Sequence, residues 1–143
     1  MSEEHYRKLE HMYASAPINR YFAPELDVAE GRATLCIAVR PDFFHAAGAI
    51  HGSVYFKALD DSAFFAANSL VTDVFVLTVS FTTYIVRPVS QGTLLATGSV
   101  VHRSRLLVLA ESVIVDAEGR QVARGNGTFM PSRIALSEDI GYR

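Results

Sequence analysis

The sequence predicts an α+β fold in which one curled antiparallel sheet wraps around a single long helix, with a short helix at the N-terminus. Three observations carry this expectation. From Gly52 the chain runs through Val54, Tyr55, Phe56, Leu59, Phe64, Phe65 and Ala67 with no further Gly or Pro, so it reads as one helix of about four turns, apolar on every side. After it come four runs rich in branched and aromatic residues, joined by short turns, as antiparallel strands require. A helix apolar all round is a buried one, and one sheet curled over it is the economical way to bury it.

The elements follow in order. Glu3 to Tyr13 places Tyr6, Leu9 and Tyr13 at helical spacing and stops before Ala16-Pro17, because the residue preceding a proline avoids the helical region. Glu30-Gly31 turns the chain into Arg32–Val39, where Ala33, Leu35, Ile37 and Val39 alternate with Arg32, Thr34 and Cys36, a strand with one apolar face. Pro41 to Ala49 is a loop and the central helix follows. Val74–Val86 is a long strand ending at Arg87-Pro88; Gln91-Gly92 turns into Thr93–Arg103, and Leu106–Val115 comes next. Asp116-Ala117-Glu118-Gly119 is a hairpin turn, and Gln121–Met130 is the last strand, expected to end at Pro131. We read residues 1–143 as one domain, with the N-terminal helix inside 1–17 and a polar, loosely held tail over 132–143.

Composition removes several functions. Thirteen Lys and Arg against fifteen Asp and Glu leave a net charge of -2 without a basic run, so nucleic acid is not an expected partner. Cys36 is the single cysteine, which rules out an intrachain disulfide and a thiolate metal cluster. His5, His11, His45, His51 and His102 show no spacing of a metal-binding pair backed by a carboxylate, so no metal is expected. The opening MSEEHYRKLEHMY lacks the apolar core of a signal peptide and no apolar run is long enough for a bilayer; a cytoplasmic protein without a membrane partner is the expectation.

The central helix also carries the candidate chemistry. Asp60 and Asp61 sit in its middle, where a charge needs a partner, a proton or a task. His51 and Asp60 are nine positions apart, about 13 Å along a helix rising 1.5 Å per residue, so they cannot meet on one substrate atom within one chain. A two-fold dimer that sets the His-Gly end of one helix beside the Asp of the other makes two equivalent sites, so a homodimer is the minimal active unit; dimer and homotetramer both stay open. Gly52 lets a substrate carbonyl approach the unpaired N–H groups and positive dipole end of the helix, an oxyanion-type site. Asp60 then serves as general base toward water or as nucleophile, while Asp61, about 100° further round, faces elsewhere and suits a salt bridge.

Ala49-Ile50-His51-Gly52-Ser53 followed by Ala58-Leu59-Asp60 resembles the HGG…D signature of hotdog-fold acyl-CoA thioesterases, in particular the phenylacetic-acid-pathway type. The resemblance covers Arg32 to Pro131, including Arg87-Pro88 and the D-x-x-G hairpin ahead of Ala123-Arg124-Gly125. It implies a hotdog fold and hydrolysis of a coenzyme A thioester with no further cofactor. The acid nine residues after the His selects Asp60. Gly52 takes the place of the backbone donor to the thioester carbonyl, and His51 orients the loop. Thr78 stands where relatives use Ser or Thr to help position water, and Arg103, Ser104 and Arg105 fall where relatives contact the nucleotide phosphates of coenzyme A. There are two departures: His45 replaces the usual Asn six residues before the His, and Ser53 replaces the second Gly, where its hydroxyl is expected to cap the helix.

The resulting expectation is a homo-oligomeric acyl-CoA thioesterase. Its rivals are a non-catalytic acyl-CoA or acyl-carrier binding protein on the same fold and a hotdog dehydratase, whose His-Phe-Pro and D-x-N-P-x-H patterns are absent. The acyl group is not legible: Phe56, Phe64, Phe65, Phe81 and Tyr84 suit a pocket and a plain core equally.

Overall fold

A computed structural model of the chain describes residues 2–143. Helix α1 (Glu3–Ser15) begins at Ser2, whose hydroxyl accepts the His5 N–H, and buries Tyr6, Leu9, Met12 and Tyr13. One turn, α2 (Asn19–Phe22), leads to β1 (Glu25–Ala29) and β2 (Arg32–Ala38). Helix α3 (Gly52–Asn68) follows, then β3 (Val74–Ile85), β4 (Thr93–Arg103), β5 (Val108–Val115) and β6 (Gln121–Ala135). The sheet order is β1-β2-β4-β5-β6-β3, every neighbouring pair antiparallel. With α3 in its concave face, this is the hotdog arrangement.

Close approach, as well as apolar burial, seats the helix. A Cβ on Gly98 of β4 would run into the Ser62 carbonyl, so only glycine lets the sheet come this near. The Ser112 hydroxyl on β5 donates to the Leu59 carbonyl at 2.9 Å, and every residue from Ser62 to Asn68 is buried. The first half of α3 differs from the expectation of burial on all sides. Phe56 is 43% exposed, and Lys57, Asp60 and Asp61 are half-buried. The sheet wraps the C-terminal half of α3 more tightly than the N-terminal half.

The two edges of the sheet are finished differently. At β1, the Arg7 guanidinium donates to the Val28 carbonyl and Glu10 accepts the Val28 N–H, both at 2.8 Å, so α1 side chains satisfy the outer edge. Strand β1 escapes sequence reading because it is only five residues long: Leu26 and Val28 alternate with Glu25 and Asp27, but only Val28 is fully buried. At the other edge, β3 from Leu77 to Ile85 pairs with β6 alone among the described residues, and Val79 is 57% exposed.

The C-terminal expectation is corrected. β6 runs through Pro131 to Ala135, pairing with β3 as far as Val74–Ala135, whereas its ladder with β5 ends at Val108–Phe129. Past Phe129 the strand has a single neighbour, and a proline is tolerated where no second strand calls for its missing N–H. The last residues are held rather than loose. Leu136, Ile140 and Tyr142 pack on the core, and the buried His5 accepts the Tyr142 hydroxyl at Nδ1 (2.7 Å) while Nε2 donates to the Asn68 carbonyl (2.9 Å).

Candidate active site

The N-terminus of α3 is capped by His51. Its Nδ1 accepts the Ser53 N–H at 3.0 Å and contacts the Ser53 hydroxyl at 2.9 Å. A backbone N–H can only donate, so Nδ1 is bare and a neutral ring carries its proton on Nε2. The expected roles are thereby exchanged: the imidazole caps the helix, and Ser53 braces the imidazole. The Gly52 N–H, at the first helical position, makes no hydrogen bond among the described residues and stands at the positive end of the helix dipole. The missing side chain has a packing reason too, since a Cβ there would lie 3.3 Å from the Ile85 side chain of β3.

His45 rides on the same loop. The Phe44–Ile50 bridge and the His45 N–H to Ala49 carbonyl bond (2.9 Å) close that loop, and His45 Nδ1 accepts the Ala47 N–H at 3.1 Å. Both imidazoles are exposed and lie outside the groove that holds Asp60.

That groove, about 780 Å³, opens between α1, α3, β3 and the C-terminal segment. Met12, Phe64, Phe75, Leu77 and Ile134 give it apolar walls. The Thr78 hydroxyl donates to Asp60 Oδ1 at 2.9 Å, which joins the two residues across α3 and β3. Burial pushes the Asp60 carboxyl up to about 6; the Thr78 hydrogen bond opposes the shift, the Asp61 charge adds to it and Lys57 opposes it. A carboxyl so placed is half-ionised near pH 6 and mostly ionised at neutral pH, as a general base must be.

Asp61 takes different partners from Asp60, but it lines the same groove instead of facing elsewhere as expected. Its Oδ2 accepts from Lys57 Nζ and from the Tyr13 hydroxyl, each at 2.5 Å. Of the aromatic residues weighed for a pocket, Phe64 and Phe65 line the groove. Phe56 and Phe81 instead meet edge-to-face at 5.7 Å outside it, and Tyr84 is exposed.

The thioesterase superfamily profile matches residues 47–123, just over half of the chain and inclusive of the His51–Asp60 stretch and Thr78. The chain belongs to the thioesterase superfamily. Membership supports a thioesterase-type activity in general terms. Among solved structures, the superfamily member is similar to the PaaI protein of the E. coli phenylacetic acid degradation operon, with a TM-score of 0.86 at 20% identity over 95% of this chain and 99% of that one. It is also similar to AziG of S. sahachiroi, with a TM-score of 0.77 at 28% identity over 83% and 98% of the two chains. A thioesterase family protein of Silicibacter pomeroyi gives a TM-score of 0.80 at 25% identity over 87% and 95%. A search of curated proteins returns no match.

Arg103, Ser104 and Arg105 form the exposed β4–β5 turn of the superfamily chain and line a second groove of about 640 Å³ with Val71, Asp73 and Pro131. It shares no lining residue with the groove of Asp60, and neither guanidinium has an ion-pair partner among the described residues. No cluster of three His, Cys, Asp or Glu that could hold a metal occurs among the described residues, and none of their helices is long and apolar enough to cross a membrane. Sequence reading missed the groove walls supplied by Met12, Tyr13, Ile134 and Ile140. The signal was present in the apolar spacing of Ile134, Leu136, Ile140 and Tyr142 within a tail otherwise rich in charge.

Proposed function

We propose that this protein is an acyl-CoA thioesterase that hydrolyses a thioester to the free acid and coenzyme A, with Asp60 of one subunit and the Gly52 N–H of another forming each site. The observation that carries the reading is the Asp60 carboxyl, bonded to Thr78 and raised into the neutral range, at the wall of an apolar groove. The carboxylate takes a proton from water as that water attacks the thioester carbon, or attacks the carbon itself to give an acyl anhydride on Asp60 that water hydrolyses to the free acid after the thiolate has left. The C–S bond then breaks and the thiolate leaves, a good leaving group that needs no metal. The oxygen that gains negative charge is met by the Gly52 N–H, whose donor is aimed outward from the positive end of α3.

A second subunit fits this reading because β3 connects both halves. Thr78 holds Asp60, Ile85 lies against Gly52, and β3 is the open edge of the sheet. Thr78 and Ile85 are seven residues apart, about 24 Å of strand. Antiparallel pairing of two β3 edges about a two-fold axis near Phe81 and Thr82 sets Ile85 and Gly52 of one subunit beside Thr78 and Asp60 of the other. Arg103, Ser104 and Arg105 serve the nucleotide phosphates of the same substrate, the two guanidinium groups having no ion-pair partner among the described residues.

The test is thiol release from acyl-CoA esters by the wild type, Asp60→Asn, Gly52→Ala, and an equimolar mixture of the two variants after subunit exchange. Asp60→Asn falls by about 100-fold or more, and Gly52→Ala, which keeps the N–H but sets a methyl group where the substrate carbonyl must approach, falls as well. The mixture recovers about a quarter of wild-type turnover, because half of the dimers are mixed and each of those has one intact site of two. A mixture no more active than its parts overturns the shared site. Full activity in Asp60→Asn overturns the hydrolytic role of Asp60, and acyl-CoA that stabilises the wild type with no thiol released identifies a binding protein instead.

A further inference from the structure

Beside Asp60, and assigned no part above, lies a second charged cluster. Lys57 Nζ donates to Asp61 Oδ2 at 2.5 Å, the Tyr13 hydroxyl donates to the same oxygen at 2.5 Å, and Lys57 Nζ is 3.5 Å from the Tyr13 hydroxyl. The Lys57 and Asp61 side chains are only 12% and 17% exposed, far less than any other ion pair among the described residues whose partners both sit on one helix. The ammonium group is further confined over two rings, 5.0 Å from that of Tyr13 and 5.3 Å from that of Phe22. Tyr13, Lys57, Asp60 and Asp61 all line the groove of about 780 Å³.

Two consecutive aspartates in a half-buried helix pose an electrostatic problem. Asp61 left without a counter-charge would oppose ionisation of its neighbour, and a base needs that ionisation. We propose that Lys57 is a positioning residue for Asp60, acting through Asp61: with Tyr13 it fixes the Asp61 carboxylate and offsets its charge, so that Asp60 ionises within the working pH range. The proposal rests on the reading of Asp60 as the catalytic acid. It also accounts for the pairing of α1 with α3 at this point, since Tyr13 brings the N-terminal helix into the charge balance of the site.

Both charges act on Asp60, after burial and the Thr78 hydrogen bond. Asp61 pushes its carboxyl up and Lys57 draws it down. From α1 it faces Tyr13, whose hydroxyl burial and Asp61 hold far above its ordinary range and therefore neutral. From β3 it faces Thr78, and the groove rim adds Glu138, Asp139 and Arg143, which are exposed and screened by solvent and salt.

The experiment is the acid limb of kcat/KM against pH for acyl-CoA hydrolysis, with the Asp60 carboxyl followed in parallel by 13C NMR titration. Lys57→Met moves limb and titration up by about one pH unit, Asp61→Asn moves both down by about one, and Lys57→Gln/Asp61→Asn returns them close to the wild-type position. A cluster that only clamps α1 to α3 lowers the melting temperature of the single variants and leaves both curves in place, and that result overturns the proposal. The NMR titration reads the coupling even in an inactive variant. Turnover retained in Asp60→Asn would count against the catalytic reading alone, whereas unmoved titrations with Asp60→Asn inactive would count against Lys57 alone.

Discussion

Replacing Asp60 by Asn should make the protein more stable above neutral pH while removing its turnover. In the folded chain the Asp60 carboxyl is raised from the ordinary 3.8 to about 6, chiefly by burial. The folded state therefore binds this proton more tightly than the unfolded state. Its contribution to stability is fully present below pH 3.8 and is lost as pH rises through about 6. The loss is about 2 to 3 kcal/mol, at about 1.36 kcal/mol for each tenfold change in proton affinity and with the partial exposure of the carboxyl allowed for. Asn is isosteric, keeps an oxygen to accept the Thr78 hydroxyl and has no charge to desolvate. Urea unfolding of both proteins at fixed concentration, at half-unit steps from pH 4 to 8, should give curves that coincide near pH 4 and diverge by about 2 to 3 kcal/mol at pH 7.5, the variant being the more stable. Parallel curves across the whole range would refute the reasoning, since they would mean that ionised Asp60 carries no desolvation cost in the native protein.

Other outcomes follow from the same geometry. Arg103→Ala should raise KM for an acyl-CoA several-fold with little change in kcat, and should leave KM for the matching pantetheine thioester unaltered; equal effects on both substrates would detach the β4–β5 turn from the nucleotide. Gly98→Ala places a methyl group against the Ser62 carbonyl and should cost about 1 to 3 kcal/mol in urea unfolding, with the acid limb of the rate profile unmoved. Stability unchanged in that variant would show that β4 and α3 can separate without penalty.

The sequence by itself determined the architecture and the candidate chemistry on α3. Uninterrupted apolar residues from Val54 to Ala67 and the strand runs after Val74 leave few folds open, because local periodicity and turn residues decide which backbone hydrogen bonds form. The spacing of Asp60 and Asp61 around a helix also sent them to different partners, Thr78 for one and Lys57 with Tyr13 for the other. Only the tertiary structure decided what surrounds them. Nothing in the order of residues brings Tyr13 on α1, Leu77 on β3 and Ile140 near the C-terminus to one groove; those contacts join residues tens of positions apart and exist because the sheet curls. The same holds for Pro131. A proline reads as a strand terminator, yet whether its missing N–H matters depends on having a second neighbour, and β6 loses that neighbour after Phe129. The raised carboxyl of Asp60 belongs to this second class, since the burial that causes it is a property of the assembled groove and not of the residues on either side of it in sequence.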